Sequence, residues 1–189
     1  MSTRRNPNSS SHKHERLHTL RHHPTLRWID AKFVHRPRIY ISQSLLAGLA
    51  LVGILIAEDA LTNGAVVAAV ASSVAIVFFV PHSVASKPFR LIGGHVAAIA
   101  ASLCTVGIML LLPNAVATNQ LMIHGLQGAS LALVILFMTI TNTEHAPAAG
   151  TALGLATSVP MNSVIFILSS ALIISVVRIV LYRRLHNLI

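Results

Sequence analysis

Read for apolar and polar positions alone, the chain breaks into five long apolar runs and one short one. Ile39 to Ala57 is bounded by Arg38 and by Glu58-Asp59, and Gly64 to Val80 is ended by Pro81. Leu91 to Leu112 stops at Pro113-Asn114, Leu121 to Thr141 runs into a polar stretch, and Asn162 to Tyr182 is closed by Arg183-Arg184. At 1.5 Å of rise per residue, a helix needs about 20 residues to cross the bilayer core. The first, third, fourth and sixth runs reach that length, and the second falls slightly short. The fifth, Ala148 to Ser158, lies between Pro147 and Pro160. It would rise roughly 16 Å as a straight helix, too little to cross. Its small residues permit close packing, so the pattern predicts a broken or half helix surrounded by protein or a wet cavity. The expected fold is an all-α integral membrane protein, a helical bundle of about six membrane segments.

A faint internal repeat accompanies the pattern. Leu49-Ala50-Leu51-Val52 recurs as Leu131-Ala132-Leu133-Val134, and Ala71-Ser72-Ser73-Val74 as Ala156-Thr157-Ser158-Val159. The order relates segments one to three with segments four to six, and two units of three crossings would be inverted relative to each other. The small-residue faces of Ala65, Ala68, Ala69, Ser72 and Ser73 and of Gly93, Gly94, Ala97, Ala98 and Ala101 suit packing within or between subunits. A homo-oligomer is expected, a dimer first.

Composition changes the picture only at the ends. Of 189 residues, 54% are hydrophobic and 10% are charged, so no second globular domain is expected beside the membrane segments. The single cysteine, Cys104, excludes an intrachain disulfide. Nine of the fourteen Lys and Arg precede residue 39, so the net charge of +9 reads as a topology signal rather than as a nucleic-acid surface. Residues 1–24 are polar, basic and His-rich, and read as a disordered cytoplasmic tail without the apolar core of a secretory signal. An organellar transit peptide is the alternative there, and His12, His14, His18, His22 and His23 fit a solvated tail better than a metal site. Residues 25–38 read as an interfacial amphipathic piece, 39–182 as the membrane domain and 183–189 as a cytoplasmic C-terminal tail. If the fifth segment carries the chain across, all fourteen Lys and Arg fall on one side, with Glu58 and Asp59 on the other. The positive-inside rule then puts both termini in the cytoplasm, with the cell inner (plasma) membrane as the location and an organellar membrane as the alternative.

Two loops share that basic side. One is Pro81-His82-Ser83, with Lys87, Pro88 and Arg90, leading to Gly93-Gly94-His95. The other is Asn142-Thr143-Glu144-His145-Ala146-Pro147, leading to Ala148-Ala149-Gly150-Thr151. Each sets a histidine near a proline and then opens a helix on small residues. Helix N-termini attract anions, and glycine lets a ligand approach the backbone. His82, Ser83, Gly93, Gly94, His95, Asn142, Thr143, His145, Gly150 and Thr151 are therefore the candidate binding residues, with Lys87 and Arg90 drawing an anion in. Glu144 is the one charged residue between Arg90 and Arg178, and it is a candidate proton carrier with His145 or, alternatively, a partner of Arg90. The ordinary readings are helix caps, topology charges and interhelical hydrogen bonds, the last also for His124 and Gln127.

At these two loops the chain resembles the HPP family of small membrane proteins, named for a His-Pro-Pro motif. Thr143 to Leu153 is similar to that motif, with Ala146 in place of the first proline, and Pro81 to His95 is similar to the family's other signature. The resemblance covers about residues 39–182. Plant and cyanobacterial members are associated with nitrite transport, so it implies a nitrite-like anion. No enzyme is expected, since the sequence holds no nucleophile elbow, Walker loop, Rossmann glycine pattern or cysteine metal frame. Nor is any cofactor or metal. Transport of a small inorganic anion is the leading expectation; a membrane scaffold or sensor acting through the His-rich tail, by lipid or metal binding, is the alternative.

Overall fold

The computed structural model describes residues 35–57 and 64–188. The chain divides into a unit of Met1–Pro37 and a unit of Arg38–Ile189, and the bundle lies in the second. The readings of residues 1–24 and of most of 25–38, and the placing of Glu58 and Asp59, lie outside the described residues. Six helices carry the architecture: α1 Pro37–Ala57, α2 Gly64–Phe79, α3 Pro88–Leu110, α4 Gln120–Thr141, α5 Ala148–Leu155 and α6 Met161–Leu181. One-turn pieces sit at Val84–Ser86 and Asn114–Ala117. Helices α1, α3, α4 and α6 are long and apolar enough to cross a membrane, and α2 is shorter but equally apolar. The expected all-α membrane bundle is what forms.

Helix α3 is the central post, packed against α4, α5 and α6, while α2 packs on α5 and α6. One apolar cluster joins Val66, Val70, Val74 and Phe78 of α2 to Phe166, Ile167 and Ile174 of α6. Helix α1 leans on it through Ile54, with Ala47, Ala50 and Leu51 alongside. The other cluster sets Ala97, Ala98 and Ala101 of α3 against Val134 and Met138 of α4 and Ala148 and Ala152 of α5. The α3 small-residue face is thus used inside the chain, whereas on α2 Ala69 and Ser73 are buried and Ala65, Ala68 and Ser72 are exposed. The outward surface is apolar, with Leu45, Ile56, Leu121 and Val180 all more than 60% exposed, as a lipid-facing wall should be. The two halves are not packed alike. Helix α4 lies close against α3 and α5, whereas α1 lies farther from its neighbours.

Contacts fix which helix ends lie together. The Arg178 guanidinium near the end of α6 donates to the carbonyl of Pro81, just after α2 (Nη2 to O, 2.9 Å). Arg90 in the first turn of α3 pairs with Glu144, just after α4. Tyr40 at the start of α1 donates to the carbonyl of Leu188 (2.8 Å). The start of α1, the ends of α2, α4 and α6 and the start of α3 therefore share one end, which also carries Arg38, Lys87, Arg183 and Arg184. Since α6 returns to that end, residues 142–160 must carry the chain to the other. Helix α5 does so partway, alongside α3: its start is level with Gly94 and its end with Thr105.

A helix that stops inside an apolar bundle leaves carbonyls without partners. Hydroxyls from neighbouring helices meet them. Ser102 of α3 and Ser130 of α4 both donate to the carbonyl of Ala152 (3.3 and 3.0 Å). Thr105 of α3 donates to that of Ala156 (2.8 Å). Among the described residues, Ser170 Oγ alone is a buried side-chain polar atom without a hydrogen bond.

Residues 183–189, read as a tail, are corrected by the structure as far as Leu188. After α6 the chain folds back over the basic end, burying Leu185 and Leu188. The amide of Leu188 donates to the carbonyl of Phe79 (2.9 Å). Gln43 of α1 clamps the segment: its amide nitrogen donates to the carbonyls of Phe78 and His186, and its oxygen accepts from the His186 amide (3.1 Å). A glutamine facing three backbone groups satisfies all of them in a place without water, which explains a fully polar side chain at 4% exposure.

Candidate functional site

Helix α4 ends in a Schellman turn. Asn142 takes a left-handed conformation (φ 55°, ψ 42°), which asparagine tolerates better than most residues. The amide of Thr143 then donates to the carbonyl of Met138 (2.9 Å), and that of Asn142 to Thr139 (3.4 Å). Arg90 fastens the turn from outside, donating to Asn142 Oδ1 (2.6 Å) and pairing with Glu144. The turn drives Thr143 and His145 inward, at 3% and 0% exposure, against the glycines of α3. A Cβ on Gly94 would come within 2.7 Å of His145 Cβ, and one on Gly93 within 2.5 Å of Thr143 Cγ2.

This corrects the role expected of Gly93 and Gly94. Helix α3 opens not at Leu91 but at Pro88, which takes the first helical position where no amide donor is needed. The glycine amides therefore lie inside the helix, and the space beside them is filled by the 142–147 turn. Gly150 likewise faces Ala69 of α2, where an added Cβ would sit 3.1 Å from the alanine's own.

Four buried side chains from four places converge behind this packing. Ser73 of α2 sets its Oγ 3.0 Å from His95 Nε2 and 2.9 Å from His145 Nε2. His95 Nδ1 lies 2.9 Å from Thr151 Oγ1 of α5, and His145 Nδ1 lies 3.1 Å from the carbonyl oxygen of Ala85. The two rings stand 5.4 Å apart at 63°. None of the four side chains is more than 1% exposed.

The partners fix the proton positions. Ala85 contributes only an acceptor, so His145 carries its proton on Nδ1 and accepts at Nε2. The single Ser73 proton has two acceptors in reach, His145 Nε2 (2.9 Å) and the Ala69 carbonyl one turn back (3.0 Å). The carbonyl already takes a helix amide, whereas the bare Nε2 has no other donor, so the proton goes to Nε2. His95 must donate to Ser73 from Nε2, and Thr151 donates to His95 Nδ1. The result is a one-way chain of four hydrogen bonds, from Thr151 through His95, Ser73 and His145 to Ala85, in which each imidazole acts once as donor and once as acceptor. Reversing it would turn a donor on the Ala85 carbonyl into a lone pair, so the direction is set at that end.

The sequence reading is thus divided by the fold. His95, His145 and Thr151 come together, with Thr143 one layer out, where its Oγ1 lies 2.7 Å from Thr141 Oγ1. His82 does not join them: its Nε2 meets the carbonyl of Leu185 at 3.2 Å and its ring packs edge-on against Tyr182. Ser83 bonds Ser86, Lys87 is exposed, and Arg90 and Asn142 are spent on the turn. Glu144 is half exposed and faces Arg90, while its neighbour His145 points into the bundle, so the two do not touch as a relay would require. Ser73 was legible only as part of a small-residue face, and the Ala85 carbonyl gave no signal. A hydroxyl in the middle of an apolar run was the available clue. Among the described residues no group of three or more His, Cys, Asp or Glu is placed to hold a metal.

The model of the HPP transmembrane region matches residues 33–188, most of the chain and the whole of this arrangement. The chain belongs to the HPP family. No curated protein and no solved structure matches it. The two stretches that resemble HPP signatures, Pro81 to His95 and Thr143 to Leu153, lie within the match, and each gives one ring to the buried pair: His95 from the first and His145 from the second.

Proposed function

We propose that this HPP-family protein carries a small inorganic anion across the membrane, nitrite first, at the buried cluster of Ser73, His95, His145 and Thr151. The observation that supports this most is a closed set of exchangeable hydrogens inside an apolar bundle, beside a helix that stops short of crossing. Structural needs alone are poorly served by two histidines there, since apolar side chains would fill the space at less desolvation cost. A nitrite-sized anion needs several donors close together. Thr151, Ser73 and both rings can turn donors toward it once they release each other.

Charge balance makes the carrier proton-coupled. An anion entering a dry site alone is costly, whereas an anion with a proton on the histidine pair adds no net charge. Glu144 is outside this route. The basic end faces the cytoplasm, following the positive-inside rule, in a cell inner membrane. The working unit is a homo-oligomer, a dimer first.

Flux into proteoliposomes is the test. Nitrite uptake driven by an inward proton gradient is expected, with at least tenfold loss in Ser73→Ala and His95→Gln. The reading fails if neither nitrite, nitrate nor halide enters faster than into empty vesicles.

A further inference from the structure

At the basic end, every described Lys and Arg but Arg90 lacks an acidic partner among the described residues, and two of them, Arg178 and Lys87, stand together. Glu144 is the one carboxylate among the described residues, and Arg90 holds it. Arg178, half buried near the end of α6, has only neutral partners. Its Nε and Nη2 donate to the Pro81 carbonyl at 3.2 and 2.9 Å, and its guanidinium lies 4.9 Å from the centre of the Tyr182 ring. A carbonyl and a ring orient a guanidinium without cancelling its charge, and Nη1 stays available. Lys87 likewise has no acidic partner among the described residues.

These two cations line one groove. Lys87, Pro88 and Phe89 at the start of α3 form one wall, and Arg178, Ile179 and Tyr182 at the end of α6 form the other, around about 630 Å³. Phe89 and Ile179 are 68% and 61% exposed on the same apolar outer surface as the lipid-facing residues. The groove therefore offers two positive groups at its head and apolar side chains on its flank, at the level where helices end.

We infer that this groove binds the headgroup phosphate of an anionic phospholipid from the leaflet at the basic end. Arg178 takes a phosphate oxygen through Nη1, Lys87 adds a second charge, and an acyl chain lies along Phe89 and Ile179. Arginine fixed in advance loses little freedom on meeting a phosphate, and basic residues at this level draw anionic lipid. A soluble anion would use the cations but leave Phe89 and Ile179 uncovered, so the lipid accounts for both halves of the groove. The inference does not depend on what the protein transports.

Native mass spectrometry of the full chain in detergent, titrated with phosphatidylglycerol, phosphatidylcholine or glycerol phosphate, is the experiment. Phosphatidylglycerol should stay bound and raise Tm, with the other two clearly weaker. Lys87→Gln should weaken phosphatidylglycerol about fivefold, the scale of one basic residue near anionic lipid. Arg178→Gln should do at least as much, its Tm without lipid showing that it folds. Phe89→Ser should weaken the lipid, while exposed Arg183, changed to Gln outside the groove, should leave binding as it was. The site is overturned if Lys87→Gln binds as the wild type does, if Arg183→Gln loses as much as Lys87→Gln, or if glycerol phosphate or phosphatidylcholine binds as tightly as phosphatidylglycerol.

Discussion

Ser73 has one proton and sits between two ring nitrogens, which makes it the residue on which the buried cluster turns. Replacing it by alanine leaves His145 Nε2 without a donor and His95 Nε2 without an acceptor in a place water does not reach. The expected cost is about 1–3 kcal/mol, the usual penalty for an orphaned buried polar group, seen as a lowered Tm in detergent. Ser72 is the natural control. It is exposed and bonds only the carbonyl of Ala68 in its own helix, so Ser72→Ala should leave Tm nearly unchanged. Glycine gives a second contrast on one helix. Gly94→Ala drives a methyl group into His145 and should destabilise by about 1–3 kcal/mol. Gly107→Ala meets open space in α3 and should be neutral or gain about 0.5–1 kcal/mol from the stiffer backbone. Equal Tm values for the two variants would show that the 142–147 turn is not seated against α3.

At the scale of the element, α5 is a helix whose continuation has been replaced by its neighbours' hydroxyls. The carbonyl of Ala152 has two donors and that of Ala156 has Thr105. Ser102→Ala and Ser130→Ala should each be mild, and together they should cost more than the sum of the two, as read in a double-mutant cycle of denaturation. Thr105→Val keeps the shape but removes the donor, and should cost about 1–3 kcal/mol by itself. The segments themselves were legible, because runs of some 20 apolar residues between charges and prolines leave a membrane chain few choices. The boundaries moved where a proline set them: a reading bounded by Arg90 began the third helix at Leu91, and Pro88 began it a turn earlier. The site was only half legible. His82 and His145 look alike in sequence, each near a proline and ahead of small residues. What separates them is the left-handed turn at Asn142, which sends one ring inward, and the returning C-terminal segment, which occupies the other. Single hydroxyls at Ser73, Ser102, Thr105 and Ser130 carry no spacing motif, so only the packing of α2, α3, α4 and α5 gives them meaning.

At the scale of the whole molecule, the basic end is held by residues far apart in the chain. Gln43 serves three backbone groups of Phe78 and His186. Gln43→Ala should lower Tm by the equivalent of about 1–3 kcal/mol, and it should loosen the backbone at the already exposed Arg183 and Arg184 so that trypsin cuts there faster than in the wild type. Unchanged cleavage would mean that the returning segment is held by Leu185 and Leu188 alone. The same clasp orders events in time. Gln43 belongs to the first of the described helices and His186 lies beyond the last of them, so that glutamine stays unsatisfied until residue 186 has been made. A nascent chain halted before Leu185 would carry all six described helices yet leave that side chain without its His186 partners, an unfinished state that membrane quality control can read as incomplete.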